Sequence, residues 1–113
     1  MTEQKVDFTF EFHTQVEHLG DAQKEELRLE AERRLIDLAA GHSDLIGASL
    51  ALRQLAHDRT PHAYEARVTG FVRPNNLAAV EKAGTAKAAI KGALDELERQ
   101  VREKRERLRD RSR

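Results

Sequence analysis

Cysteine is absent from this 113-residue chain. With it go disulfide scaffolds, thiolate zinc sites, iron–sulfur clusters and thiol catalysis. Tryptophan is absent too, and four Phe and one Tyr are the only aromatic residues, so the core must be lean and aliphatic. Net charge is also missing, because 20 Lys and Arg balance 20 Asp and Glu. A uniformly polycationic protein is excluded, and any nucleic-acid contact depends on where charge sits rather than on its sum. No apolar run approaches the ~18–20 residues of a membrane span. The N-terminal stretch MTEQKVDFTFEFH carries acids and alternates polar with apolar residues, unlike a signal peptide. The expectation is a soluble, cytoplasmic protein. The six glycines are scattered and form no phosphate loop, and no carboxylates stand in a recognisable acid–base pairing. Nothing in the residues supports catalysis, a cofactor or a small-molecule substrate.

What is present is a folding composition, 39% apolar and 35% charged, of a length that suits one domain. Phe8, Phe10 and Phe12 alternate with Thr9 and Glu11, and Val6 to His13 is predicted as a half-buried strand. Asp21 stands where a cap would start a helix from Ala22 to about Ala40, with Leu27, Ala31, Leu35 and Leu38 as its apolar stripe. Gly41 suits a left-handed stop. Ile46, Ala48, Leu50 and Leu52 alternate as a second strand, and Tyr64 to Val72 reads as a third. The cluster His57 to Pro61 turns one into the other, and Pro74-Asn75-Asn76 turns the chain again. Leu77 to Lys82 is divided: LAAVEK favours helix by propensity, but it stands where a fourth strand would complete a sheet. Thr85 is placed to cap a last helix whose apolar face carries Ile90, Leu94, Leu97, Val101 and Leu108. Phe10 and Leu97 are the expected core contacts between sheet and helices. The domain is expected to span residues 1–108, with Arg109 to Arg113 as a disordered basic tail.

The charge layout of the last helix carries the chemistry. At 100° per residue Lys87, Lys91, Arg102, Arg105 and Arg109 share one strip beside the apolar face. From Leu97 to Arg113 eight basic residues face four acidic ones. Arginine's planar fork suits phosphate. The competing reading is a solvated helix laced by pairs such as Glu98–Arg102 and Glu103–Arg107, each worth ~0.3–0.5 kcal/mol. In the first helix Lys24, Arg28, Arg33 and Arg34 are outnumbered by acids, and pairing is the expected role for Arg28 and Arg34. His57 and His62 read as polar turn residues rather than metal ligands. Tyr64 and Phe71 read as core residues rather than stacking platforms.

At Ala88-Ala89-Ile90-Lys91-Gly92-Ala93-Leu94-Asp95-Glu96-Leu97, then Arg99-Gln100-Val101 and Lys104 to Leu108, the sequence resembles the last helix of the ribosome hibernation-promoting factor and ribosome-associated inhibitor family, formerly labelled sigma-54 modulation proteins. The resemblance implies an α+β fold of order β-α-β-β-β-α, similar to a double-stranded-RNA-binding domain, with a four-stranded sheet and both helices on one face. It selects the strand for Leu77 to Lys82. It further implies binding to the small ribosomal subunit and its rRNA through basic residues on both helices, across the tRNA and mRNA path. The matching positions are Arg99, Arg105, Arg107 and Arg109, with Arg33 and Arg34 before Leu35. The sequence departs from the family at Thr85, Lys87, Lys91 and Glu103. Arg99 and Arg107 lie about 200° and −80° from Leu97, off the strip, so the resemblance and the charge layout point to different flanks. No metal, membrane or obligate second copy is expected. The alternative is an interaction module that uses the long last helix to dimerise or dock a partner.

Overall fold

The computed structural model describes residues 8–16, 18–42, 44–55 and 63–111, with side chains through residue 107. The order is β1 (Thr9–Gln15), α1 (Asp21–Gly41), β2 (Leu45–Gln54), β3 (Tyr64–Val72), β4 (Leu77–Ala83) and α2 (Ala86–Arg111). The strands lie in that order across one sheet. β1 and β2 are parallel, joined by α1 as a crossover, and the remaining pairs are antiparallel. Both helices cover one face, where Ala48, Leu50, Leu52, Ala66, Val68 and Ala79 meet Ala31 and Leu35 of α1 and Ala89 to Val101 of α2.

Leu97 is fully buried, as expected, whereas Phe10 is only half-buried. β1 is an edge strand, so Phe8, Phe10 and Phe12 border the core instead of filling it. The strand also continues past His13 to Gln15. In β2 the register shifts between Leu45 and Gly47. This bulge turns Leu45 inward, at 2% exposure, and leaves Ile46 outward at 47%, against the simple alternation that placed Ile46 in the core.

The start of α1 differs by one residue from the expectation. Gly20, not Asp21, is the N-cap; its N–H donates to Gln23 Oε1 (3.0 Å) and its carbonyl accepts from Lys24 (3.0 Å). Asp21 instead sits in the first turn, where its charge suits the helix dipole. No described residue has positive φ, so Gly41 is not a left-handed stop. The helix ends because His42 leaves helical geometry and its carbonyl accepts from Leu45, leading straight into β2.

β4 is a strand despite its helical composition. Pairing with β3 satisfies the facing backbone groups of both strands and places Ala79 under α2. Thr85 caps α2, accepting the Ala88 N–H at 3.1 Å. The helical backbone runs on to Arg111, beyond the expected domain end at Leu108. The predicted turn at His57 to Pro61 lies outside the described residues.

Candidate nucleic-acid interface

The α2 periodicity that buries Ile90, Leu94, Leu97 and Val101 in the sheet turns one charged flank toward α1. Five of the nine sequence-predicted cations meet along this seam. Lys91 Nζ lies 3.1 Å from Asp95 Oδ2, and Arg34 Nη2 reaches across from α1 to Asp95 Oδ1 at 2.8 Å. Arg34 is also 3.6 Å from Glu98 Oε1, while Arg102 Nη2 is 3.1 Å from Glu98 Oε2. Three cations and two carboxylates thus form one network. Arg105 continues the line, donating to the Gly41 carbonyl at 3.2 Å. Lys87 has no ion-pair partner among the described residues and stands at the rim of a groove of about 340 Å³. Leu27, Ala31, Ile90 and Leu94 line this groove. Hydrogen bonding from Arg34, then from Lys91, holds the Asp95 carboxyl below its ordinary pKa, so Asp95 stays ionised at neutral pH.

Arg99 and Arg107 stand elsewhere. Arg99 bonds both Glu96 (Nε to Oε1, 2.9 Å) and Glu103, and Arg107 lies 3.7 Å from Glu103. Arg99 and Gln100 bring Glu96 down to a pKa of about 2. Arg99 and Gln100 line a depression against β4 rather than α1. Gln100 also donates to the Ala78 carbonyl at 3.0 Å. Arg33 is exposed about 200° around α1 from Ala31, pointing away from the sheet. The Arg109 side chain lies outside the described residues.

Several other expectations resolve here. Arg28 is held by Glu25 (2.6 Å) and Glu32 (3.0 Å), the structural pairing foreseen. Both pairs of the solvated-helix reading, Glu98–Arg102 and Glu103–Arg107, are formed. Tyr64 and Phe71 are half-buried on opposite faces of β3 and offer no shared platform; Tyr64 is engaged by His18 Nε2 at 2.5 Å. His57 and His62 lie outside the described residues. Among the described residues no three His, Cys, Asp or Glu gather as a metal site, and no helix is long and apolar enough to cross a membrane.

Sequence reasoning missed Asp95 and Glu98 as the joints of the seam. Arg34 and Asp95 are 61 positions apart, and no local spacing rule reports such a pair. Spacing shows Lys104 only as a break in the apolar stripe of α2 between Val101 and Leu108. It is in fact a tether, bonding the Arg73 carbonyl and lying 3.4 Å from Asp44.

A family model described as sigma 54 modulation protein / S30EA ribosomal protein matches residues 4–109. Among solved structures, the chain is similar to the N-terminal domain of Protein Y from Thermus thermophilus, with TM-score 0.58 and 21% identity over 83% of this chain and 91% of that one. It is also similar to a ribosomal subunit interface protein from Coxiella burnetii, with TM-score 0.66 and 10% identity over 86% and 97%. At these identities the likeness establishes the fold. No curated protein matches the sequence.

Proposed function

Because the chain belongs to the sigma 54 modulation protein / S30EA ribosomal protein family, we propose that this ribosome-associated protein lays its α1–α2 seam on rRNA of the small subunit and sterically closes the tRNA and mRNA path. The observation that carries the reading is the convergence of Arg34, Lys87, Lys91, Arg102 and Arg105 from two helices onto one flank. No bond is made or broken. Phosphate contacts position the protein, and the shape of folded RNA supplies selectivity. Counterion release dominates affinity and makes it salt-sensitive. The setting would be the cytoplasm, where ribosomes work. The interaction-module alternative gains no support from Ile90, Leu94, Leu97 and Val101, which are buried against the sheet.

The test is co-sedimentation with ribosomes across a salt series. Replacing Lys87, Arg102 and Arg105 together by Ala should reduce the slope of log affinity against log salt by about 0.7–0.9 per lost contact. Folding should hardly change, because exposed pairs contribute little. A matched Arg99→Ala/Arg107→Ala variant should keep the wild-type slope. If the triple variant binds as wild type while the Arg99/Arg107 variant fails, the contact lies on the β4 flank and the seam is only solvated.

A further inference from the structure

The network Lys91–Asp95–Arg34–Glu98–Arg102 has a property beyond its place in the proposed interface. Its two carboxylates already occupy the positions that external anions would take. Arg34 Nη2 meets one Asp95 oxygen while Lys91 takes the other. Glu98 is divided in the same way between Arg34 and Arg102. The five side chains sum to a single positive charge, whereas the cations alone would present three. All five remain partly open to solvent, at 31–71% side-chain exposure. An external anion can therefore reach them without unfolding anything.

We propose that Asp95 and Glu98 are specificity-determining residues, internal competitors for phosphate that mask the seam until a correctly spaced set of phosphates displaces them together. The proposal rests on the reading of the seam as a phosphate interface and adds a reason for its acids. A phosphate meeting one of these cations gains about what the carboxylate already supplies, since exposed ion pairs of either kind are weak. Exchange at one cation is then nearly neutral. A net gain arises only when several cations change partner in one docking event, which costs positional freedom once. A folded RNA that matches the seam can do this. An unstructured polyanion engages fewer cations at a time and is turned away. The pairs Lys91–Asp95 and Glu98–Arg102 follow ordinary helical spacing, but Arg34 reaching from α1 ties both into one unit.

The experiment compares the full chain with Asp95→Asn/Glu98→Gln, which keeps shape and removes two negative charges. The probes are polyuridylate, as an unstructured polyanion, and ribosomes. Removing both charges should steepen the polyuridylate salt slope by up to about 1.4 and raise affinity about tenfold at 0.15 M salt. Ribosome affinity should rise less, so that the preference for ribosomes narrows. Glu98→Gln alone should steepen the slope by about 0.7, and it keeps the test open if the double variant does not fold. Unchanged polyuridylate affinity and slope in folded variants would overturn the proposal. So would weaker binding to both probes, which would make the carboxylates positioning residues for Arg34. If the wild type fails to co-sediment with ribosomes while the polyuridylate results hold, the ribosomal reading falls and the masking stands.

Discussion

Gly47 occupies a point in β2 where a Cβ would come within 2.8 Å of the Thr9 carbonyl oxygen and 3.0 Å of the Phe71 ring. The nearer obstacle is backbone of the paired strand and cannot swing aside. Gly47→Ala should therefore cost about 1–3 kcal/mol in denaturant melts. Gly41 is the contrasting case. Nothing lies within 4 Å of a Cβ there and φ is not positive, so Gly41→Ala should stabilise by about 0.4–1 kcal/mol. Neither outcome is legible in the sequence, where Gly41 reads as a left-handed stop and Gly47 as one position inside the second strand. Glu96 gives a titration test. Arg99, and after it Gln100, lower its pKa from the ordinary 4.5 to about 2. A carboxylate depressed by folding adds stability above its unfolded pKa and loses it as pH falls through the folded one. The contribution should thus fade between about pH 4.5 and 2. A carboxyl-carbon NMR titration should place the Glu96 midpoint near 2, and Arg99→Ala should return it toward the ordinary value.

Elements were legible where a single period governs them. The alternation of β3 and the stripe of α2 need only local rules, and Thr85 caps α2 as its chemistry predicts. Thr85→Ala should cost about 0.5–2 kcal/mol, measured by thermal melts. Legibility failed where partners decide. β4 has helical propensity, and only an open β3 edge makes it a strand, so the family resemblance succeeded where composition was divided. The bulge at Leu45/Gly47 inverts Ile46 because a second strand, not the local sequence, sets the register. Phe10 looks like a central residue by type, yet the edge position of β1 limits its burial.

Across the whole molecule, zero net charge conceals an uneven layout on one helix, with Lys87, Lys91, Arg102 and Arg105 on the flank toward α1 and Arg99 and Arg107 on another. The seam flank was readable from 100° steps, because those steps depend on α2 alone. Its tie to α1 was not, because chain folding rather than spacing brings Arg34 to Asp95. The same helix also outruns its support. Val101 is the last buried apolar residue described, and beyond it Lys104 and Arg105 hold the helix to Asp44, the Arg73 carbonyl and the Gly41 carbonyl. Polar tethers of this kind oppose opening far less than apolar burial does. Amide hydrogen exchange along α2 should therefore be graded, with Ala89 to Leu97 exchanging near the global limit and residues 104–111 orders of magnitude faster. Uniform protection to Arg111 would contradict this. On such a gradient the sheet-bound half of α2 is a fixed rail and the overhanging turns are its compliant end. In the proposed interface the cations near Lys91 would then set the docking orientation, and Arg105 would adjust to whatever surface it meets.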